Sequence, residues 1–344
     1  MKISSRPFGS TADGAAVSCY DLENKNGMTV SVLDYGCTIQ RILVPSQRGE
    51  AVDVVLGYDS IDGYEQGNCF FGALVGRFAN RIRNSQFYLN GQSVQLQPNH
   101  GAHHLHGVFS KTRFEAAAQP DVLALRHVSA PEEEGYPGTL SVLVRYSLTE
   151  ENALVLEYEA EADADTIVNL TNHTYFNLNG SGDVLNHTLM LRSDRFAECD
   201  AELLPTGKLL RVEGTPMDFR APRIVGEVMD FSYPQLKTGC GYDHHYVLEN
   251  GQDQLYPFAE LTGDQSGIRM TAETTQPGVQ LYTANFVQDD TAQFGKAGKR
   301  YEKHAGLCLE TQHAPDSPNL SVFPSAVLCA GERYYQKTVY RFHR

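Results

Sequence analysis

Hydrophobic residues recur at every second position over much of this chain. Leu140, Val142, Val144, Tyr146 and Leu148 alternate with Ser141, Leu143, Arg145 and Ser147. After the polar turn Thr149-Glu150-Glu151-Asn152 the pattern resumes at Leu154, Leu156 and Tyr158. A period of two puts each apolar set on one face, so the segment reads as a hairpin with one buried side. Asn-Gly pairs at Asn26-Gly27, Asn90-Gly91, Asn179-Gly180 and Asn250-Gly251 punctuate other strand-like runs. Asn-Gly supplies the positive φ angles of tight hairpin turns, and residues 87–94 are the cleanest case.

Long stretches of helical period are almost absent. Short pieces at residues 61–66, 225–229 and 288–294 are the helix candidates. Many short strands separated by turns predict an all-β fold, a large antiparallel β-sandwich with few short helices. No composition break or low-complexity linker divides the chain, which predicts one domain over residues 1–344.

A length of 344 residues allows a sizeable core, and 41% hydrophobic with 20% charged residues describes an ordinary globular chain. The formal net charge of −14 argues against nucleic acid or an anionic membrane as the partner, since both need a positive field. Neutral ligands are unaffected by it. Seven cysteines, scattered and without a Cys-x-x-Cys pair, read as reduced thiols. The first residues lack the apolar core of a signal peptide, and no apolar run reaches membrane-spanning length. The expectation is a cytoplasmic protein.

Ionisable groups on strands are costly unless partnered or used, which singles out several positions. Glu310 follows Leu307 and Leu309, sharing a strand face with Cys308. It is either an ion-paired strand-end residue or a desolvated carboxylate whose pKa rises into the range of a general base. His173 shares a face with Thr171 and Tyr175 amid Asn172, Thr174 and Asn177. It reads as a hydrogen-bonded structural histidine or as a proton donor in a polar cleft. Asp243, in Gly241-Tyr242-Asp243-His244-His245, fits a turn or a hydroxyl acceptor. The run His100-Gly101-Ala102-His103-His104-Leu105-His106 is dense in imidazole but lacks helical ligand spacing and a local Cys or carboxylate, so no metal site is assigned. Arg77, Arg81 and Arg83 share strand parity, which suits structural ion pairs or a phosphate site. Gly72 and Gly76 do not form a phosphate-cradling loop.

The ordered series Gly76-Arg77-Phe78-Ala79-Asn80-Arg81-Ile82, Leu105-His106-Gly107, Thr171-Asn172-His173-Thr174-Tyr175-Phe176-Asn177-Leu178, Gly241-Tyr242-Asp243-His244, Pro277-Gly278-Val279-Gln280-Leu281-Tyr282-Thr283 and Leu309-Glu310-Thr311-Gln312 resembles that of aldose 1-epimerases, the galactose mutarotases. Val54-Val55-Leu56-Gly57-Tyr58-Asp59-Ser60 and Tyr340-Arg341-Phe342 extend the likeness over nearly the whole chain. The resemblance implies a galactose mutarotase-like supersandwich that interconverts the α and β anomers of free aldohexoses such as galactose and glucose. It implies Glu310 as general base and His173 as general acid. Arg81, His106 and Asp243 would bind sugar hydroxyls, with Asn80 and Gln280 lining the same cleft. No metal or organic cofactor is implied, and the partner is a monosaccharide bound by a monomer or homodimer.

The sequence departs from the family at Val108, where a second Gly is usual, at His103, where many members have Asn, and in lacking Trp. Those positions shape the cleft loop and bear on sugar preference. Three rival functions share the scaffold: a glycoside hydrolase using Asp243 with Glu310, a sugar-phosphate epimerase using Arg77 and Arg83, and a non-catalytic sugar-binding module.

Overall fold

The structure is a computed structural model that describes residues 1–46, 49–249 and 254–344. The expected hairpin pairs Leu140–Leu148 with Ala153–Ala162 in antiparallel register, Tyr146 opposite Leu156 and Val144 opposite Tyr158. Burial follows the alternation: Leu140, Val142, Val144, Tyr146 and Leu148 are all buried. Each such side chain contributes roughly 1.5–3 kcal/mol of transfer free energy, which fixes which face turns inward.

That hairpin supplies the third and fourth strands of a nine-stranded antiparallel sheet. Its order is Glu115–Gln119, Val122–Ser129, Leu140–Leu148, Ala153–Ala162, Arg333–His343, Arg269–Thr274, Tyr256–Thr262, Thr188–Leu191 and Arg223–Ile224. A six-stranded sheet runs Tyr175–Phe176, Leu307–Thr311, Gly278–Tyr282, Asp243–Val247, Arg195–Cys199 and Pro205–Arg211. Five consecutive N-terminal strands from Lys2–Ser10 to Ala51–Asp53 make a meander. One apolar cluster joins all three, through Val30 and Ile42, Leu125 and Leu156, and Leu281 and Leu309.

The turns follow the sequence in part. Asn90 and Gly91, at φ 53° and 77°, close the hairpin between Gln86–Leu89 and Gln92–Gln95. Gly27, at φ 80°, lies in the loop joining two strands of the meander. Asn179-Gly180 is not a hairpin turn. The Asn179 side chain accepts from the amides of Gln265 and Ser266 and donates to Asp264, which pins this loop to a distant one. The pair Asn250-Gly251 lies outside the described residues.

Of the helix candidates, Ile61–Gln66 forms, capped by Ser60. Residues 225–229 form turns instead. The amides of Val225 and Gly226 bond the carbonyls of His187 and Leu185, so long-range pairing replaces the local ladder. Residues 288–294 hold only part of a single 3-10 turn, Val287–Asp289. A helix over Pro234–Gly239, with proline in its first turn, was not expected from the pattern. Among the described residues no helix is long and apolar enough to cross a membrane.

Candidate active site

Register in the six-stranded sheet decides what faces the site. Glu310 pairs with Gln280, and Gln280 with His245, while Cys308 pairs with Tyr282, and Tyr282 with Asp243. These rows are two residues apart, so Asp243, Tyr282, Cys308, Gln280 and Glu310 share one face. The intervening residues Leu281, Leu307 and Leu309 enter the apolar core on the other. The alternation of Leu307-Cys308-Leu309-Glu310 is therefore what aims a carboxylate away from the core.

His173 arrives from a broken strand rather than the continuous one expected. Thr171–Asn172 pairs with Leu74–Val75, whereas Tyr175–Phe176 pairs with Leu307–Thr311. At the break the His173 amide bonds the Ala73 carbonyl and its carbonyl accepts from Gly72. Tyr175 stacks on the imidazole at 5.0 Å between ring centres. Nε2 of His173 then lies 3.6 Å from Oε2 of Glu310, with both side chains buried.

His106 and Asn80 hold each other. Both adopt left-handed backbone, φ 64° and 70°, which costs roughly 1–2 kcal/mol for an L-residue. The Asn80 amide donates to Nδ1 of His106 at 3.1 Å, and the His106 amide donates to the Asn80 carbonyl at 3.2 Å. With Nδ1 accepting, a neutral His106 carries its proton on Nε2. Gly107 follows at φ 67°, and a Cβ there would meet the Gly76 carbonyl oxygen at 2.3 Å. The backbone is thus wound tightly enough at this point to require glycine. The amide of Val108, the departing position, donates to Glu134 at 3.1 Å.

A cavity of about 520 Å³ brings Asn80, Arg81, His106, His173, Asp243 and Glu310 together. Gln280 is not among its lining residues. It stands behind Asp243 and donates to that carboxylate at 2.7 Å, so it orients a wall residue instead of being one. Sequence reasoning also missed the aromatic walls Phe70, Tyr282 and Phe286. Tyr282 was legible from strand parity with the row of Asp243; Phe70, on a non-strand segment at φ 56°, carried no such signal.

Burial controls the electrostatics. It lifts Glu310 well above the usual carboxylate range, with Asp243 adding to the rise and Arg81 opposing it. Burial pushes His173 down to about 4 and His106 well below the usual imidazole value. Asp243 is also raised by burial, against Arg81 and the Gln280 hydrogen bond.

The other two arginines are engaged elsewhere, which removes the sugar-phosphate reading of that triplet. Arg77 is buried and donates to Ser129, Ala130, Pro137 and Gly138. Arg83 is 2.6 Å from Asp200. The strand face that parity suggested does not exist, because Arg81–Ile82 is two residues long and Arg83 opens a 3-10 turn.

His106, His173 and Glu310 offer donor atoms within 4.8 Å of one another, the arrangement closest to a metal centre among the described residues. The proton on Nε2 of His106 makes that atom a hydrogen-bond donor and not a metal ligand. Elsewhere in the run, His103 Nδ1 accepts from the Asn84 amide and His104 Nδ1 meets the Gln97 carbonyl. Hydroxyl groups suit the set better than a cation does.

An antiparallel supersandwich whose sheet face sets a buried carboxylate 3.6 Å from an imidazole, in a cavity lined by polar side chains and aromatic walls, fits the class of carbohydrate-active isomerases. Residues 18–341 match the family described as Aldose 1-epimerase. The chain is 38% identical to the galactose mutarotase of Bos taurus, with 99% of each chain covered, and 40% identical to that of Mus musculus over 96% of this chain and 95% of that one. The crystal structure of the GalM/aldose epimerase homologue from C. elegans superposes with a TM-score of 0.87 at 29% identity, covering 99% of both chains. The chain belongs to the aldose 1-epimerase family, and it interconverts the anomers of aldoses.

Proposed function

We propose that Glu310 and His173 form the acid–base pair of this reaction on free aldohexoses, galactose and glucose first among them. The observation that carries the reading is their opposition at 3.6 Å inside a cavity that also holds Arg81, His106 and Asp243. Glu310 removes the proton from the anomeric hydroxyl while His173 protonates the ring oxygen. The C1–O5 bond breaks to give the open-chain aldehyde. After rotation about C1–C2, Glu310 returns its proton to the carbonyl oxygen and His173 takes one from the C5 hydroxyl as the ring closes. The intermediate is a neutral carbonyl, so proton transfer between two side chains and the sugar accounts for every bond made and broken.

Reference pKa values of about 4.3 and about 6.5 favour carboxylate and imidazolium when the pair shares one proton, but burial favours carboxylic acid and imidazole. Both forms hold one proton between them. Hydroxyls donated by a bound sugar, with Arg81 beside Glu310, favour the carboxylate form that starts the reaction. His106 donates from Nε2 to a hydroxyl, Asp243 accepts from another, and Asn80 fixes His106. Gln280 acts through Asp243. Phe70, Tyr282 and Phe286 meet the C–H surfaces of the ring.

Asp243 is engaged by Gln280, which favours His173 over Asp243 as the partner of Glu310 and epimerisation over hydrolysis. In this reading residues 1–344 work as one unit, in the cytoplasm, as a monomer or homodimer. Polarimetry of freshly dissolved α-D-galactose and α-D-glucose tests it. Both should relax faster with the protein and at the background rate with Glu310→Gln; acceleration retained by that variant would remove Glu310 from the mechanism.

A further inference from the structure

A second cavity, about 740 Å³, shares no lining residue with the first. The segment around Phe176 contributes to both, since Tyr175 lines the sugar cavity and Asn177 the second. The Asn177 side-chain amide donates to the carbonyls of Ser181, Gly182 and Ala305 at 3.3, 3.0 and 2.9 Å. It thereby holds the loop that forms one wall. Leu43, Val55, Leu56 and Ala305 make an apolar surface within.

The charges there run against the rest of the molecule. The whole chain carries −14, yet this cavity gathers Arg41, Lys296, Lys299, Arg300 and Lys303 against Asp53, Asp59, Asp183 and Glu302. Two of the cations share one carboxylate. Lys296 Nζ is 2.8 Å from Asp53 and 2.9 Å from the Val55 carbonyl, while Arg41 Nε is 3.6 Å from the same Asp53. That Nε is buried and has no hydrogen-bond partner. Asp59 and Asp183 accept from the backbone amides of Ala297 and Leu185. Lys299 has no ion-pair partner among the described residues, and Arg300 donates to the Gln288 carbonyl. Positive charge in excess of its anions therefore collects here: Arg41 shares the single Asp53 carboxylate with Lys296, and Lys299 and Arg300 have no ion pair among the described residues.

We propose that this cavity binds a phosphorylated small metabolite of about hexose size. Its phosphate is drawn by Arg41 and the Lys299–Arg300 rim, and its carbon body lies against Leu43, Val55 and Leu56. A phosphomonoester carries about −1.5 to −2 charges near neutral pH, which matches the unpaired Lys299–Arg300 rim and an Arg41 that only shares a carboxylate better than a carboxylate ligand does. The guanidinium fork of Arg41 suits phosphate oxygens. The sugar cavity has the opposite character: its lining sets Arg81 against Asp243, Asp289 and Glu310. A phosphate is repelled there and attracted here.

Titrating the full-length protein with D-glucose 6-phosphate, followed by calorimetry and by ³¹P line broadening, tests the assignment. Saturable one-to-one binding is expected, unchanged by saturating galactose and retained in Glu310→Gln. Arg41→Gln and the exposed-rim variant Lys299→Ala/Arg300→Ala should each weaken it about tenfold, the loss of a charge-assisted contact. Inorganic phosphate should bind more weakly, for want of the carbon body. Absence of saturable binding to the wild type at millimolar concentration overturns the proposal. So does displacement by galactose, equal binding of inorganic phosphate, or unchanged affinity in both cation variants.

Discussion

The imidazole of His173 and the carboxylate of Glu310 lie 3.6 Å apart, and burial drives their proton affinities in opposite directions. A low imidazole and a high carboxyl together span a wide range of pH in which the two hold a single proton. Replacing Glu310 by Gln keeps shape and removes the base. Loss of ~10²–10⁴-fold in the mutarotation rate is expected, the usual worth of positioned acid–base transfer. Folding should be unaffected, because the glutamine is neutral like the buried carboxylic acid it replaces. Polarimetry beside thermal unfolding separates the two effects.

The same one-proton pair sets the pH profile of kcat/KM. Below the depressed His173 value of about 4 both groups are protonated and no base remains. Above the raised Glu310 value both are deprotonated and no acid remains. The rate should therefore form a plateau that opens by about pH 5, above the His173 value, and closes where Glu310 loses its proton. Reference values alone would have its acid limb near 4.3 and its alkaline limb near about 6.5. A rate already falling as pH drops from about 6 to 5, with chemistry limiting, would show that burial does not hold the second protonation of the pair near the His173 value of about 4.

Much of this arrangement was legible in the chain. The alternation around Leu140 and Leu154 gave the central hairpin, and the parity of Leu307, Leu309 and Glu310 gave the direction in which the carboxylate points. What failed was local pattern overruled by distant partners. The strand expected around His173 breaks because its backbone bonds to Gly72 and Ala73, about a hundred residues away. Arg77 and Arg83 looked equivalent to Arg81 but are captured by carbonyls and by Asp200. Gln280 is on the right face and in the row of Glu310, but its side-chain amide is taken up by Asp243 and does not line the cavity. Spacing along one strand cannot report such distances.

Gln280 therefore offers a test of orientation separate from chemistry. Gln280→Leu removes the 2.7 Å hydrogen bond to Asp243 and leaves a buried carboxylate without that partner. Asp243 already has a raised pKa, and losing the donor raises it further, favouring the protonated form. A carboxylic acid accepts sugar hydroxyls less well, so KM should rise about tenfold, the equivalent of ~1.4 kcal/mol, with kcat changed less. Steady-state kinetics on galactose reads this directly. An unchanged KM would mean that the Gln280–Asp243 contact has no part in binding.

Burial of neutral imidazoles also links stability to pH. His187 is held at about 4, and His244 and His245 at about 3, in each case chiefly by burial. An unfolded histidine titrates near about 6.5, so below that pH the unfolded chain binds protons that the folded one refuses. The stabilisation is fully present above about 6.5 and is lost as pH falls towards the folded values. Within that window each such group removes ~1.4 kcal/mol of unfolding free energy per pH unit. Urea unfolding at about pH 7, 6 and 5 should show a steep decline below about 6.5. His244→Gln should decline less steeply, by the contribution of one group. His244 accepts a single hydrogen bond, from the amide of Asp243 to Nδ1, and the glutamine carbonyl can replace that acceptor without taking up a proton. An equal slope in wild type and variant would mean that His244 takes up its proton while folded.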